Sequence, residues 1–193
     1  EVFASFQGEG LYVGQPQVFL RLAGCPLRCR WCDTPGSWAT RMDRDARIDA
    51  PSGSLREPRV ASPFQAALWV ASVEPGEPRT VSVTGGEPLM WPEFIRALRS
   101  MVAPRRLHLE TAGGHPEALA RVLDRIDHVS LDLKLPADMG EPVELQSADG
   151  EPASIDEPAP ATADDWRMAR RRCLDLLQDR DACAKVVVSA DRE

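Results

Sequence analysis

The stretch Gln17-Val-Phe-Leu-Arg-Leu-Ala-Gly-Cys25-Pro-Leu-Arg-Cys29-Arg-Trp-Cys32 decides how the rest of the chain is read. In its first seven residues Val18, Leu20 and Leu22 alternate with Phe19 and Arg21. With both faces largely apolar, this predicts a strand over residues 17–23 inside a sheet. Three thiols at C-x3-C-x2-C spacing then fall on the loop after the strand, where they can face a common centre. Structural zinc takes four ligands, and no fourth Cys or His stands at the spacing a zinc knuckle uses. Three thiolates on an iron–sulfur cubane leave one iron open, and an open metal position is where chemistry occurs. Arg28 and Arg30 interleave with the thiols, which argues against three buried cysteines acting as small hydrophobes.

Outward from this loop, strand and helix alternate. Ser62-Pro63 starts a helix over residues 64–72, and residues 80–84 form a β-branched strand that runs into Gly85-Gly86. A helix from Trp91-Pro92 through Val102, a strand over 106–110, a helix over 116–123 and a strand over 128–133 follow. An arginine-rich helix over 166–178 and a strand over 185–189 close the chain. This rhythm predicts one α/β domain over residues 1–193, a parallel sheet of about six strands with helices packed outside it. Residues 138–165, rich in Pro and acidic residues and without a basic one, predict a mobile surface loop. Residues 41–59 mix both charge signs with Pro and Gly and predict a second polar stretch outside the chemistry.

The 193 residues suit a single core, and 43% hydrophobic with 27% charged residues is the composition of a soluble globular protein. No run approaches the roughly 18 apolar residues that span a bilayer, and the start lacks the regions of a signal peptide. No membrane partner and a cytoplasmic address are therefore expected. The 23 Lys and Arg against 30 Asp and Glu give a net charge of −7, which argues against backbone-driven nucleic-acid binding and for a small-molecule substrate. Five cysteines, three of them grouped, do not form a secreted disulfide framework. The chain opens on Glu1 without an initiator Met and stops soon after the 185–189 strand, so flanking segments are expected.

The cysteine spacing, with the aromatic Trp31 immediately before the third thiol, resembles the radical S-adenosylmethionine superfamily. The resemblance implies a partial (β/α)6 barrel with a [4Fe–4S] cluster on Cys25, Cys29 and Cys32. The open iron would chelate the methionine part of S-adenosylmethionine. One electron from a flavodoxin- or ferredoxin-type donor would then split a carbon–sulfur bond and release a 5′-deoxyadenosyl radical. It further implies that the backbone near Trp31 holds adenine and that Thr84, Gly85, Gly86 and Glu87 meet the methionine amino group, Glu87 fixing the turn. Ser130, Asp132 and Lys134 would reach the ribose and the methionine carboxylate. The residues agree: glycines allow close approach to a backbone, and α/β folds bind ligands at strand carboxyl ends. Homodimers are usual in the family.

Ahead of the cysteines, Phe6-Gln7-Gly8-Glu9-Gly10 is by periodicity only a turn. Followed by the Val-Phe-Leu-Arg strand, it resembles the branch of the superfamily that contracts a pterin ring on the way to queuosine. That branch converts 6-carboxy-5,6,7,8-tetrahydropterin to 7-carboxy-7-deazaguanine with loss of ammonia, after hydrogen abstraction at C6. The resemblance implies Gln7, Gly8, Glu9 and Gly10 at the pterin edge, Arg21 on the substrate carboxylate and Thr34 on a substrate-bound Mg²⁺. Glu110 and Thr111 would border cofactor and substrate. Amide and carboxylate match a pterin's donors and acceptors, guanidinium pairs bidentately with carboxylate, and Mg²⁺ takes oxygen ligands. The residues alone also allow Arg21 salt-bridged at the strand end and Asp33-Thr34 as a simple cap. Two rivals are a glycyl-radical-enzyme activase, similar at Asp132-Leu-Lys134, and a non-catalytic metal-binding protein, which leaves the Gly85-Gly86-Glu87 turn unexplained. His108, His115, His128, Cys173 and Cys183 share no spacing with these motifs and receive no ligand role.

Overall fold

The computed structural model describes residues 1–40, 45–145 and 155–188. The strands are β1 (Val2–Phe6), β2 (Pro16–Leu22), β3 (Ala46–Ala50), β4 (Gly53–Glu57), β5 (Thr80–Gly85), β6 (Leu107–Thr111), β7 (His128–Asp132) and β8 (Ala182–Lys185). The helices are α1 (Pro63–Val73), α2 (Pro92–Val102), α3 (Pro116–Val122) and α4 (Ala163–Leu177). The described strands form one eight-stranded sheet in the order β4-β3-β1-β2-β5-β6-β7-β8. From β2 through β8 every neighbour is parallel, while β1 runs antiparallel to β2 and β4 to β3. The architecture is α/β with a mostly parallel sheet.

Local chemistry sets the helix ends. Ser62 accepts the Gln65 amide at 3.2 Å with Pro63 at the first helical position of α1, and Thr162 and Asp165 form a capping box at α4. The parallel register then sorts the strand residues into two faces. Val18, Leu20, Val81, Val83, Leu107, Leu109, Val129 and Leu131 join the helices' Val70, Ile95, Leu98 and Leu119 in the main core. The opposite face carries Gln17, Ser82, His108, Glu110, His128 and Ser130, all but Glu110 fully buried although polar.

Three expectations change. The sheet has eight strands instead of about six parallel ones, because β1 and the β3–β4 hairpin join its edge. The hairpin lies in the stretch expected to be a polar loop. Its apolar period is only Ala46, Ile48 and Ala50, masked by Arg47 and Asp49, yet Ile48 is fully buried. The last strand ends at Lys185: Leu133 donates to the Lys185 carbonyl at 2.7 Å, β7 offers nothing beyond it, and Val186, Val187 and Val188 stand exposed. Ser189 lies outside the described residues.

The segment expected to be a mobile loop is in its described parts laid along the cysteine loop; residues 146–154 lie outside the described residues. Asp138 is buried, its carbonyl accepting the Arg30 amide at 2.8 Å and its carboxylate the Trp31 indole N–H at 3.3 Å. Gly140 donates to the Arg28 carbonyl and Val143 to that of Pro26, at 2.7 and 2.8 Å. Glu157 accepts the Glu117 and Ala118 amides at the start of α3, both at 3.1 Å. Composition missed this because the Arg30, Gly140 and Val143 bonds use backbone groups, which every residue type supplies.

His115, just before α3, is fully buried with neither ring nitrogen hydrogen-bonded among the described residues, and burial pushes its pKa down to about 4. The unfolded chain protonates this ring near the ordinary pKa of about 6.5, so its stabilising share is complete above that pH and is lost as pH falls toward the folded value. Wild-type stability from urea midpoints should therefore fall faster than that of His115→Leu between those limits. The excess should reach ~1.4 kcal/mol per pH unit. Parallel pH curves for the two proteins would contradict this assignment.

Candidate active site on the polar face of the sheet

Strand β2 delivers the cysteine loop to the carboxyl end of the sheet. The loop is closed by Gly24 donating to the Ser37 carbonyl at 2.8 Å and Cys25 to that of Trp38 at 3.0 Å. Arg28 lies 4.8 Å over the Trp38 ring and donates to the Cys25 and Leu27 carbonyls, while the Trp38 indole N–H reaches Cys32 Sγ at 3.2 Å. Cys25 is buried, and Cys29 and Cys32 are partly exposed. Burial pushes the Cys25 thiol up to about 12, and Glu87, Cys29 and Cys32 add to the rise. Burial also raises Cys29, against the pull of the Lys134 ammonium.

Three thiols on one loop, with Cys25 and Cys29 kept from ionising by burial, are a donor set suited to a strongly cationic metal group, which deprotonates the thiols it binds. Among the described residues no three His, Cys, Asp or Glu side chains converge on a single metal-sized point. The thiols share the loop without meeting. Trp31, exposed, bonds Asp138 and carries Arg30 at 4.8 Å over its ring. Thr34 Oγ1 donates to Asp33 Oδ1 at 3.3 Å, and its carbonyl accepts the Ser37 amide at 2.9 Å at the start of a single turn, without a side-chain cap.

The Gly85-Gly86-Glu87 turn packs directly on this loop. Gly86 donates to the Leu22 carbonyl at 3.1 Å and Glu87 to that of Gly24 at 2.9 Å. A Cβ on Gly85 would stand 2.2 Å from Leu22 O, and one on Gly86 2.5 Å from Gly24 O and 2.8 Å from Cys25 Cβ. The close approach that requires these glycines within the protein is to the end of β2 and the first residues of the cysteine loop. Glu87, 1% exposed, accepts from Leu89 N at 3.0 Å, Thr111 Oγ1 at 2.7 Å and Ala112 N at 3.0 Å. Burial pushes its pKa up while these donors pull it back. Glu87 braces the turn to the end of β6. Thr111, also buried, is spent on Glu87 and on the Gly113 amide at 3.1 Å. Glu87 was expected to fix this turn and Thr111 to border cofactor and substrate; the side-chain oxygens of both are engaged within the protein.

The polar face gathers most of the remaining residues. Gln7 is buried, and its Nε2 donates to Glu110 Oε1 at 2.7 Å, the oxygen that also accepts Ser82 Oγ at 2.6 Å. The Glu9 amide donates to Gln7 Oε1 at 3.3 Å. Toward the strand ends the charges alternate: Glu9 pairs with Lys185, Lys185 with Asp132 at 3.2 Å, and Asp132 with Lys134 at 3.1 Å. Burial works to lower both lysine pKa values, but the Asp132 carboxylate, joined by Glu9 at Lys185, turns each shift upward. Gly10, at φ +70°, turns the chain over this group, and a Cβ there would lie 3.4 Å from Cys183 Sγ and 3.6 Å from Ser130 Oγ. Gly8 has open space around it. Thr84 is partly exposed at the end of β5, and Ser130 Oγ lies 2.8 Å from His108 Nε2. Arg21 lies 3.4 Å from the Glu1 carboxylate and 5.9 Å from the Phe3 ring centroid, the strand-end pairing its position allowed.

Lys185, His108 and His128 belong to this face and were missed. Their one signal was an even spacing along a strand, which by itself is indistinguishable from a solvated face. No helix of the described residues is long and apolar enough to cross a membrane.

A family model, the Radical SAM superfamily, matches residues 20–144. Among curated proteins the chain is similar to the 7-carboxy-7-deazaguanine synthase of Methanothermobacter thermautotrophicus, 38% identical over 135 residues, which are 70% of this chain and 48% of that protein. It is 41% identical over 146 residues to the synthase of Methanopyrus kandleri, covering 71% of this chain and 56% of that one. With that of Geobacter sulfurreducens the figures are 34% over 147 residues, 72% and 58%. The chain spans about half the length of the curated relatives it matches.

Proposed function

The chain belongs to the radical S-adenosylmethionine superfamily, and from that premise we propose that it contracts the ring of 6-carboxy-5,6,7,8-tetrahydropterin to 7-carboxy-7-deazaguanine, releasing ammonia. The reading rests above all on Gln7 and Glu110, 103 residues apart in sequence, meeting at 2.7 Å on the polar face below the cysteine loop. An amide and a carboxylate side by side offer the mixture of donors and acceptors that a pterin edge matches. Similarity to synthases of this name supports the same substrate. Product and ammonia together contain every atom of the substrate, so the conversion consumes no net oxidant.

Membership brings a [4Fe–4S] cluster and S-adenosylmethionine with it; Cys25, Cys29 and Cys32 would hold the cluster, and the pair supplies, when bound, a hydrogen-abstracting radical. The protein's own work is orientation. Arg21 would exchange its Glu1 partner for the substrate carboxylate, and Gln7, Glu9 and Glu110 would hold the ring edge, with Gly8 and Gly10 shaping the turn. Thr34, beside Asp33, would give a Mg²⁺ one hydroxyl ligand, the rest coming from water and substrate. Thr84, Ser130, Asp132 and Lys134, with the backbone near Trp31, would position the cofactor. A flavodoxin- or ferredoxin-type donor, a homodimeric state and a cytoplasmic address complete the proposal.

Anaerobic reconstitution followed by assay with the carboxypterin tests it. Product is expected, and Arg21→Ala should raise KM at least tenfold with iron content unchanged. An intact cluster without pterin turnover removes the substrate assignment. An unmoved KM removes the role of Arg21 alone.

A further inference from the structure

Cys183 lies on β8, on the polar face, paired in register with Ser130 of β7. Its Sγ stands 3.7 Å from His128 Nε2 and 3.3 Å from Ser130 Oγ. The other ring nitrogen of His128, Nδ1, lies 2.8 Å from Asp181 Oδ1. Asp181 is held ionised: its hydrogen bond with His128 depresses its pKa, and Arg106 at 2.8 Å adds to this, with Tyr12 donating its hydroxyl at 3.2 Å. An ionised carboxylate at Nδ1 makes that nitrogen the one bearing the proton and leaves the Nε2 lone pair facing the thiol. Tyr12 fixes the ring from the other side, its centroid 4.6 Å from that of His128. His108, on β6, is kept neutral by burial, which pushes its pKa down to about 3, and it bonds Ser130. The remaining charges around this corner are Lys185, neutralised by Glu9 and Asp132, and Glu110, held by Gln7 and Ser82.

We propose that Cys183 is a nucleophilic thiol, activated through His128 and Asp181, that captures soft electrophiles on the polar face of the sheet. His128 Nε2 takes the thiol proton, the sulfur pair forms a bond to the electrophilic carbon, and the leaving group departs with its bonding electrons. Ser130 Oγ stands 3.3 Å from the sulfur and 2.8 Å from His108 Nε2. Cys183 is partly exposed, whereas Cys173 is fully buried against the Gly113 carbonyl, with its thiol pushed up to about 12 by burial. Gly10 lies beside the sulfur, so an adduct would crowd the turn carrying Gln7 and Glu9. Capture at Cys183 would thereby close the site described above, a consequence that rests on the proposed function; the thiol chemistry does not.

The test is alkylation by iodoacetamide at pH 7 on the anaerobically reconstituted protein, in which the C–I bond breaks as S–C forms. The tryptic peptide 181–185, which holds Cys183 and no other cysteine, is quantified by mass spectrometry. Cys183 should react at least tenfold faster than the same five residues as a free peptide. Asp181→Asn should slow it at least fivefold and His128→Asn should remove the enhancement. A rate at or below that of the free peptide, or one that Asp181→Asn leaves unchanged, would overturn the proposal. Should His128→Asn fail to fold by circular dichroism, the half-exposed Asp181 variant decides alone.

Discussion

Replacing Cys29 by Ala is expected to strip the protein of its cluster, with iron and sulfide per chain and the visible absorbance all falling to background. Two thiolates cannot hold a cubane, and the remaining cysteines are not on the loop: Cys173 lies on α4 and Cys183 on β8. The fold should survive, because the loop is closed without Cys29. Its ends are tied by the Gly24 and Cys25 amides, and Arg28 is stacked on Trp38. Far-ultraviolet circular dichroism of the variant should therefore match that of the wild type while S-adenosylmethionine cleavage vanishes. Retained iron in a folded Cys29→Ala protein would show that the loop does not carry the metal.

The second large effect is expected from Gly86→Ala. The added methyl would stand 2.5 Å from Gly24 O and 2.8 Å from Cys25 Cβ. Neither neighbour yields easily, since Gly24 O accepts the Glu87 amide and Gly24 N bonds Ser37. Overpacking of this kind costs about 3 kcal/mol at the upper end of its ordinary range. For a domain of this size that corresponds to a fall in Tm of roughly 6–12 °C. Because the clash falls on Cys25, cluster content should fall as well. Gly8→Ala is the control: nothing lies within 4 Å of the new methyl, and a change within about 0.5 kcal/mol is expected, as for ordinary surface sites. Equal melting of Gly86→Ala and wild type would refute the packing account of the turn.

The contrast between these glycines shows where sequence reading reaches and where it stops. Strands and helices with strong alternation or a proline-led start, such as β2, β5 and α1, were legible because local geometry writes a period into the residues. The three cysteines were legible because the ligands of one metal group lie on one loop. The role of Gly85 and Gly86 was not, since it depends on a backbone some sixty residues earlier in the chain. The polar face was the larger miss. Ser130 was named from its motif, but Ser82, His108 and His128 each alternate with aliphatic residues, a pattern that a single strand writes for a solvated face. Only the register that aligns Ser82 with His108 and His108 with His128 shows them stacked and buried. The Cys183–His128–Asp181 relay is likewise invisible to spacing, since the β7–β8 pairing brings together residues more than fifty positions apart.

The most direct test of the whole account is electron paramagnetic resonance of the reconstituted, reduced protein before and after S-adenosylmethionine is added. With Cys25, Cys29 and Cys32 as its protein ligands, the cluster should account for about four irons per chain, and its signal should change shape as the vacant iron corner takes up the methionine moiety. A protein that instead binds one zinc and no iron, or a cluster whose spectrum ignores the added sulfonium, would contradict it.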